Sequence, residues 1–362
     1  MQHFDVIVIG GGMAGLSTAW HLARHGTQRL CLLERDWACG TRASGLNAAI
    51  FRQLEFERSS VELAVRSREL MHELTAGRLV RETGALYLGP RERLEEARRH
   101  LAALDVPSEL LEPEALRARF PRLVTTLPGV FIPGDGVIDI HSVTQTLQRA
   151  LVSREVPVHV STEVTALTPS AEGFTLQTNH GSMRATKVVL AGGAWNPVLG
   201  ELVGAPLPLT PMRRHLALLE TGARSRDPVV WRLDAGHEVY FRPESGGALA
   251  SPCDETTWFP KDLGEVPTEA QALQQLAERL HDFEPSLAGA SVRSFWACMR
   301  TFAPDREFVA GADPRVPGLF WSAALGGRGM TCGLALGEVV AAAVLGQAHP
   351  LHAAFSPARL IR

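Results

Sequence analysis

Three glycines and one acid near the start of the 362-residue chain have the types and spacing to hold a dinucleotide. Gly10, Gly12 and Gly15 lie in the turn Gly10-Gly11-Gly12-Met13-Ala14-Gly15, and Glu34 follows 24 residues after Gly10. The chemistry of a pyrophosphate sets that spacing. Gly10 permits a tight turn, Gly12 lets backbone N–H groups approach the phosphates, and Gly15 lets a helix pack close on a strand. Glu34 is placed to accept hydrogen bonds from ribose hydroxyls. The elements that must position these residues stand beside them. Phe4–Ile9 reads as a buried strand, Leu16–His25 as a helix stopped by Gly26, and Leu30–Leu33 as a second strand ending at Glu34. The helix N-terminus then offers free N–H donors and partial positive charge to the phosphates.

Hydrophobic residues make up 45% of the chain and charged residues 21%, enough for a full core. The length suggests two domains or an interleaved pair. A net charge of −3 argues against nucleic acid as a partner. No apolar run reaches the ~18 residues of a membrane span. The first apolar run is already the nucleotide strand, so no secretory signal is expected. The five cysteines (Cys31, Cys39, Cys253, Cys298, Cys332) are scattered and form no CxxC pair. They suit a reducing, cytoplasmic compartment and suggest no metal site. Only Lys187 and Lys261 are lysines among 36 Lys and Arg side chains, so an anion site here must use arginine, histidine or backbone. No feature of the sequence sets an oligomeric state.

Further along, the pattern predicts helices over Ser60–Ala76, Arg91–Leu104, Glu114–Phe120 and His141–Ser153, with a strand over Glu82–Leu88. A meander follows: Val158–Leu167, Gly173–Thr178 and Met183–Leu190. Its last strand runs into Ala191-Gly192-Gly193-Ala194-Trp195, a second strand-to-glycine junction suited to the nucleotide sheet. Residues 206–300 read as strand-rich apart from a helix near Glu269–Phe283. Gly318–Ala324 reads as a strand that meets Leu325-Gly326-Gly327-Arg328-Gly329-Met330. A small-residue helix, Thr331–Leu345, closes the pattern, stopped by Gly346.

These motifs resemble the FAD-dependent amino acid oxidoreductases of the D-amino acid oxidase (DAO) family, from end to end. Gly10, Gly12, Met13, Ala14 and Gly15 with Glu34 and Arg35 are similar to its adenosine and pyrophosphate site. Ala43–Ala49, with Ser44, Asn47 and Ala48, resembles its loop beside the pyrophosphate and flavin. Thr162-Glu163-Val164 resembles the segment whose backbone meets adenine. Ala191, Gly192 and Trp195 resemble its central flavin motif, and Gly327, Gly329, Met330 and Thr331 its glycine turn at the far end of the flavin. The resemblance implies an α/β fold, a Rossmann-like, glutathione-reductase-like FAD domain interleaved with a mixed-sheet substrate domain. The FAD domain is expected over 1–80, 142–205 and 302–362, and the substrate domain over 81–141 and 206–301.

The resemblance also implies that the chain oxidises the C–N bond of an amino acid, a D-amino acid in the first reading. A glycine- or sarcosine-type amine oxidase using O2, and a flavin subunit of a hetero-oligomeric amine dehydrogenase complex, stay open beside it. Arg300, before a Pro-Asp turn, is the leading substrate residue, because a guanidinium fork fixes a carboxylate in one orientation. Tyr240 is similar to a tyrosine that contacts the carboxylate in D-amino acid dehydrogenases. Arg214 is a second candidate, since strand alternation sends Arg213 and Arg214 to opposite faces. Arg52 and Arg328 are further candidates, and Glu55 is expected at the surface. Cys298 stands in a Cys-Met-x-Thr setting similar to that of sarcosine oxidase, which attaches its flavin through cysteine. Here a buried, unreactive thiol and non-covalent FAD are expected. Sarcosine oxidase-like members carry a lysine above the flavin that promotes O2 reduction. The strand Gly246–Ser251 has none, so a non-O2 electron acceptor is expected.

Overall fold

A computed structural model describes residues 2–75, 79–222, 227–261 and 264–361. The strand Gln2–Ile9 is the centre of an eight-stranded sheet. It pairs in parallel with Leu30–Leu33 on one side and with Gly181–Leu190 on the other. Leu319–Ala323 adds in parallel to the far half of Gly181–Leu190, so Leu33, Ile9 and Leu190 end in line and Ala323 lies just beyond them. Runs such as Val6–Ile9 and Val188–Leu190 are buried throughout because helices cover the sheet. The helix Met13–Arg24 packs against the C-terminal helix Gly329–Val344. A Cβ on Gly337 would lie 2.4 Å from Ser17 Oγ, and one on Gly333 would lie 2.7 Å from Met13 Cγ. The small residues of the last helix therefore set how closely it approaches the first.

The meander begins later than its sequence pattern suggests. Val158–Leu167 is two strands at opposite edges of the sheet, not one. Val158–His159 pairs with Leu30–Leu33, whereas Val164–Ser170 pairs with Gly173–Thr178. Between them the chain crosses the sheet end, turned by Ser161 at φ +51 and held by Thr162 N–H to Glu34 C=O at 2.8 Å. Glu82–Leu88 is a strand only from Ala85 onward. Val80–Arg81 joins a small three-stranded sheet, while Ala85–Leu88 joins the second large sheet, with Gly84 at φ +75 between them. The helix read as Ser60–Ala76 spans Arg58–Thr75, and Ala76 lies outside the described residues.

The second large sheet has nine strands. Val229–Arg232 pairs in parallel with Ala85–Leu88, which joins two stretches far apart in sequence. Glu109–Leu111 and Gly129–Ile132, to which the sequence pattern assigns no element, are the last two strands toward one edge. Thr210–Glu220 runs antiparallel to Ser291–Phe302 along its whole length. This register places Met212 opposite Arg300 and Arg214 opposite Cys298, so Arg214 and Arg300 project from the same face. Among the described residues no helix is long and apolar enough to cross a membrane.

Candidate active site

A single cavity runs from the C-terminal ends of the nucleotide-sheet strands to the face of the second sheet that carries Arg300. It encloses about 1800 Å³ including its mouth. A lining that reaches from Glu34 to Arg300 suits an extended dinucleotide with a small molecule beside it.

The first end is built by backbone. Gly10 sits at φ +115, and a Cβ on it would stand 2.4 Å from Ala191 C=O. A Cβ on Gly15 would stand 1.8 Å from Gly10 C=O. Gly15 itself does not line the cavity but lets the helix press against the turn. Gly11 is equally constrained, since its Cβ would meet Cys39 Sγ at 2.6 Å; the GxGxxG spacing gives no hint of that contact. Glu34 accepts from Gly11 N–H at 2.6 Å and from Asp36 N–H at 2.7 Å. Burial raises its carboxyl above the ordinary range, and these two N–H donors pull it back. Ser44 Oγ accepts from Met13 N–H at 2.9 Å, tying the 43–49 loop to the helix start. Asn47 holds that loop internally, donating to Ala43 and Ser44 carbonyls and accepting from Ala49 N–H. Arg35 lies over the Trp195 ring at 4.5 Å and pairs with Glu163 at 3.1 Å. Ala14, Ala48, Val164, Ala191 and Gly192 also face the space.

The second end is built by charge. Arg52, Arg214, Arg300 and Arg328 all line it. Three of them have acids. Glu55 is 4% exposed, not at the surface as its sequence context suggests, and it pairs with both Arg52 and Arg328. Arg52 also stacks over Trp231 at 4.5 Å, and Trp231 packs on Tyr240 with ring centroids 4.6 Å apart. Arg328 further donates to Ser60 Oγ and Arg306 C=O and stands 3.5 Å from Glu307. Arg214 pairs with Glu255 at 2.6 Å. Arg213 turns to the other face, against Glu269 and Trp258.

Arg300 differs. It is 5% exposed and makes no ion pair among the described residues. Its Nη1 donates to Met299 C=O at 3.1 Å and to Cys298 Sγ at 2.6 Å, while its Nε is buried without a partner. A Cβ on Gly327 would lie 3.7 Å from Arg300 Nε and 3.7 Å from Arg214 Nη1, so both guanidinium groups border the glycine turn. Tyr240 is 2% exposed beside them, its phenol raised by burial and bonded to Ser251. Gly327, Gly329, Met330 and Thr331 line the space with the start of the C-terminal helix. Thr331 Oγ1 anchors it to Ile50 C=O at 3.2 Å. Cys298 is buried at 1% exposure and is not among the cavity-lining residues.

A family model for FAD-dependent oxidoreductases, DAO, matches residues 5–343. The chain belongs to the DAO family. Monomeric sarcosine oxidase from Bacillus sp. (strain B-0618) is 26% identical over 366 residues, covering 93% of this chain and 91% of its own. Mitochondrial dimethylglycine dehydrogenase from Rattus norvegicus is 27% identical over 332 residues; the match covers 83% of this chain but only 38% of that longer protein. The crystal structure of glycine oxidase from Geobacillus kaustophilus superposes with a TM-score of 0.83 at 25% identity over the full length of both chains. The chain is thus an FAD-dependent oxidoreductase acting on C–N bonds of the amine and amino acid class.

The DAO-family cofactor fits the observed residues. The first end leaves no room for side chains where a pyrophosphate must approach backbone, and Glu34 and Arg35 stand where an adenosine would end. At the other end the helix start presents its first N–H groups and partial positive charge, which favour a ring that gains negative charge on reduction. Trp231, Thr41, Arg42 and Met299 also line the cavity and carried no signal in the sequence. Trp231 could have been suspected only as the residue cross-strand from Tyr240.

Proposed function

We propose that this chain oxidises the C–N bond of an amino acid held above the flavin by its carboxylate, with Arg300 as the primary anchor. Arg300, a buried guanidinium with no acid of its own, carries this reading. An unpaired buried cation is costly, and a substrate carboxylate arriving through the cavity relieves that cost. Bound FAD supplies the two-electron acceptor. The chain's own residues bind and orient. Arg300 fixes the carboxylate by its fork geometry, Arg214 Nη1 borders the same space, and Trp231 and Tyr240 wall it and exclude water. Among the described residues lining the cavity the only acids are Glu34 and Glu163, both at the adenosine end. None of these lining residues offers a carboxylate at the substrate end to take the amine's proton, which fits a substrate nitrogen that binds unprotonated.

The relatives support the general reaction and a glycine- or sarcosine-type substrate, and they do not favour a D-amino acid over these. The acceptor is read as something other than O2, because the described residues lining the cavity include no lysine. Lys187 instead donates to Val344 C=O in the nucleotide-sheet region. The FAD is read as non-covalent, and acid precipitation is expected to release it. Flavin retained on the denatured chain, and lost in Cys298→Ala, would contradict that.

The test of the reaction is anaerobic mixing of the yellow enzyme with glycine, sarcosine, dimethylglycine and D- and L-amino acids. Bleaching of the flavin by at least one of them is expected. No bleaching by any amino acid, in a sample that dithionite reduces fully, would overturn the proposal.

A further inference from the structure

Four arginines line the substrate end of the cavity, yet only one of them is left without an acid among the described residues. The difference between Arg300 and Arg214 is instructive, because the two lie on the same sheet face and both border Gly327. Arg214 is held back by the segment Cys253-Asp254-Glu255. Its Nη2 donates to Glu255 Oε1 at 2.6 Å, and its Nε donates to Asp254 C=O at 3.3 Å. Its Nη1, the nitrogen nearest Gly327, makes no hydrogen bond among the described residues. Glu255 is itself fixed from the other side. Its Oε2 accepts from Arg306 Nη2 at 2.5 Å, and Arg306 lies over Phe302 at 4.3 Å. Glu255 does not line the cavity, so it can act on a ligand only through Arg214.

We infer that Glu255 is a specificity-determining positioning residue: by neutralising Arg214 it restricts the site to amino acids with a single carboxylate and rejects dicarboxylic ones. This rests on the proposed role of Arg300. With Glu255 in place Arg300 is the one arginine of the substrate end without an acid among the described residues, matching one carboxylate. A second carboxylate would meet an arginine already committed to an acid. Specificity of this kind is a difference of affinities, set here by withholding the second attraction. Without Glu255, Arg214 keeps its carbonyl contacts but loses that ion pair, and its Nη1 beside Gly327 offers a second cation to a ligand. The substrate class that follows is neutral, monocarboxylic amino acids, with glycine and its N-methyl derivatives inside it and aspartate-like or iminodicarboxylic compounds outside.

The test uses the FAD-loaded enzyme and two carboxylates that lack an amine and cannot be oxidised, acetate and malonate. Binding is read at constant ionic strength from the perturbation of the visible flavin spectrum and by calorimetry. In the wild-type enzyme acetate is expected to bind and malonate to bind no better. In Glu255→Gln the ratio of malonate to acetate affinity is expected to rise about tenfold or more, the scale of one charge-assisted contact. Glu255→Asp keeps the charge for Arg306 but draws it back from Arg214, and should shift the ratio in the same direction by less. It also serves if Glu255→Gln fails to retain flavin. A purely structural role would change both affinities together and leave the ratio alone. An unchanged ratio in either flavin-loaded variant, with acetate still bound, would overturn the inference. If the wild-type enzyme binds neither carboxylate, or binds both as well after Arg300→Ala, the proposed role of Arg300 fails instead.

Discussion

At the Glu34 end of the cavity the chain presents backbone, whereas at the Arg300 end it presents guanidinium groups, and the two ends reach their geometry by different physics. Around Gly10 and Gly15 the determinant is exclusion: a single added carbon would collide with a carbonyl at 2.4 or 1.8 Å. Around Arg300 the determinant is charge pairing across long separations. Glu55 meets Arg328, and Arg214 meets Glu255, through loops that share no local pattern. The nucleotide end tolerates no side chain and the substrate end depends on which acids answer which arginines. Cofactor binding is therefore expected to fail sharply with steric change, and substrate binding to tune gradually with charge.

The largest effect should come from the steric end. Gly15→Ala places a methyl group against Gly10 C=O, and neither backbone segment can give way without breaking the turn. Little or no flavin should co-purify, read as the ratio of visible to ultraviolet absorbance. A fully loaded, yellow Gly15→Ala enzyme would break the comparison at its first half.

The next largest effect lies at the charged end. Glu55→Gln removes the acid shared by Arg52 and Arg328 and leaves two mostly buried cations with weaker partners. Removing one member of a buried ion pair costs about 3 kcal/mol. The unfolding midpoint in urea should fall accordingly, while flavin still binds. No change in midpoint would mean that these pairs are solvated and that the charged end is less dry than its burial indicates.

A smaller effect concerns pH. Asp135 is fully buried and accepts from Gln53 N–H, Gln53 Nε2 and the Tyr87 hydroxyl, one residue from Arg52. Burial pushes its carboxyl from 3.8 up to about 6, against the pull of these donors. The folded state thus holds this proton more tightly than the unfolded chain does. The stabilisation is full below about pH 4 and is lost as the pH rises through about 6. Across pH 5 to 7.5 the Tm of the wild-type enzyme should fall relative to that of Asp135→Asn. Parallel curves would show that Asp135 stays ionised throughout.

How much of this was legible in the sequence follows the same division. Gly10, Gly12, Gly15 and Glu34 could be read because a steric requirement fixes both residue type and spacing. The four arginines of the substrate end could be singled out through family resemblance. Their acids could not: Glu55 looked like a surface residue, and nothing near Glu255 or Glu307 marks it as the partner of an arginine. The crossing hidden inside Val158–Leu167 was also invisible, since both halves are β-prone and only the tertiary pairing sends them to opposite sheet edges. Glu82–Leu88 becomes a strand only at Ala85, and Gly84 is the one local hint of that later start.

The central claim is that Arg300, alone among the lining arginines, waits for the substrate's carboxylate. It is tested most directly by kcat/KM for the best amino acid substrate in Arg300→Lys, with flavin content measured in the same sample. A charge-assisted contact of this kind contributes about 1.5–3 kcal/mol, and lysine cannot reproduce the fork. The account predicts a loss of about 10- to 100-fold with flavin content unchanged; a flavin-loaded Arg300→Lys enzyme with near-normal kcat/KM would contradict it.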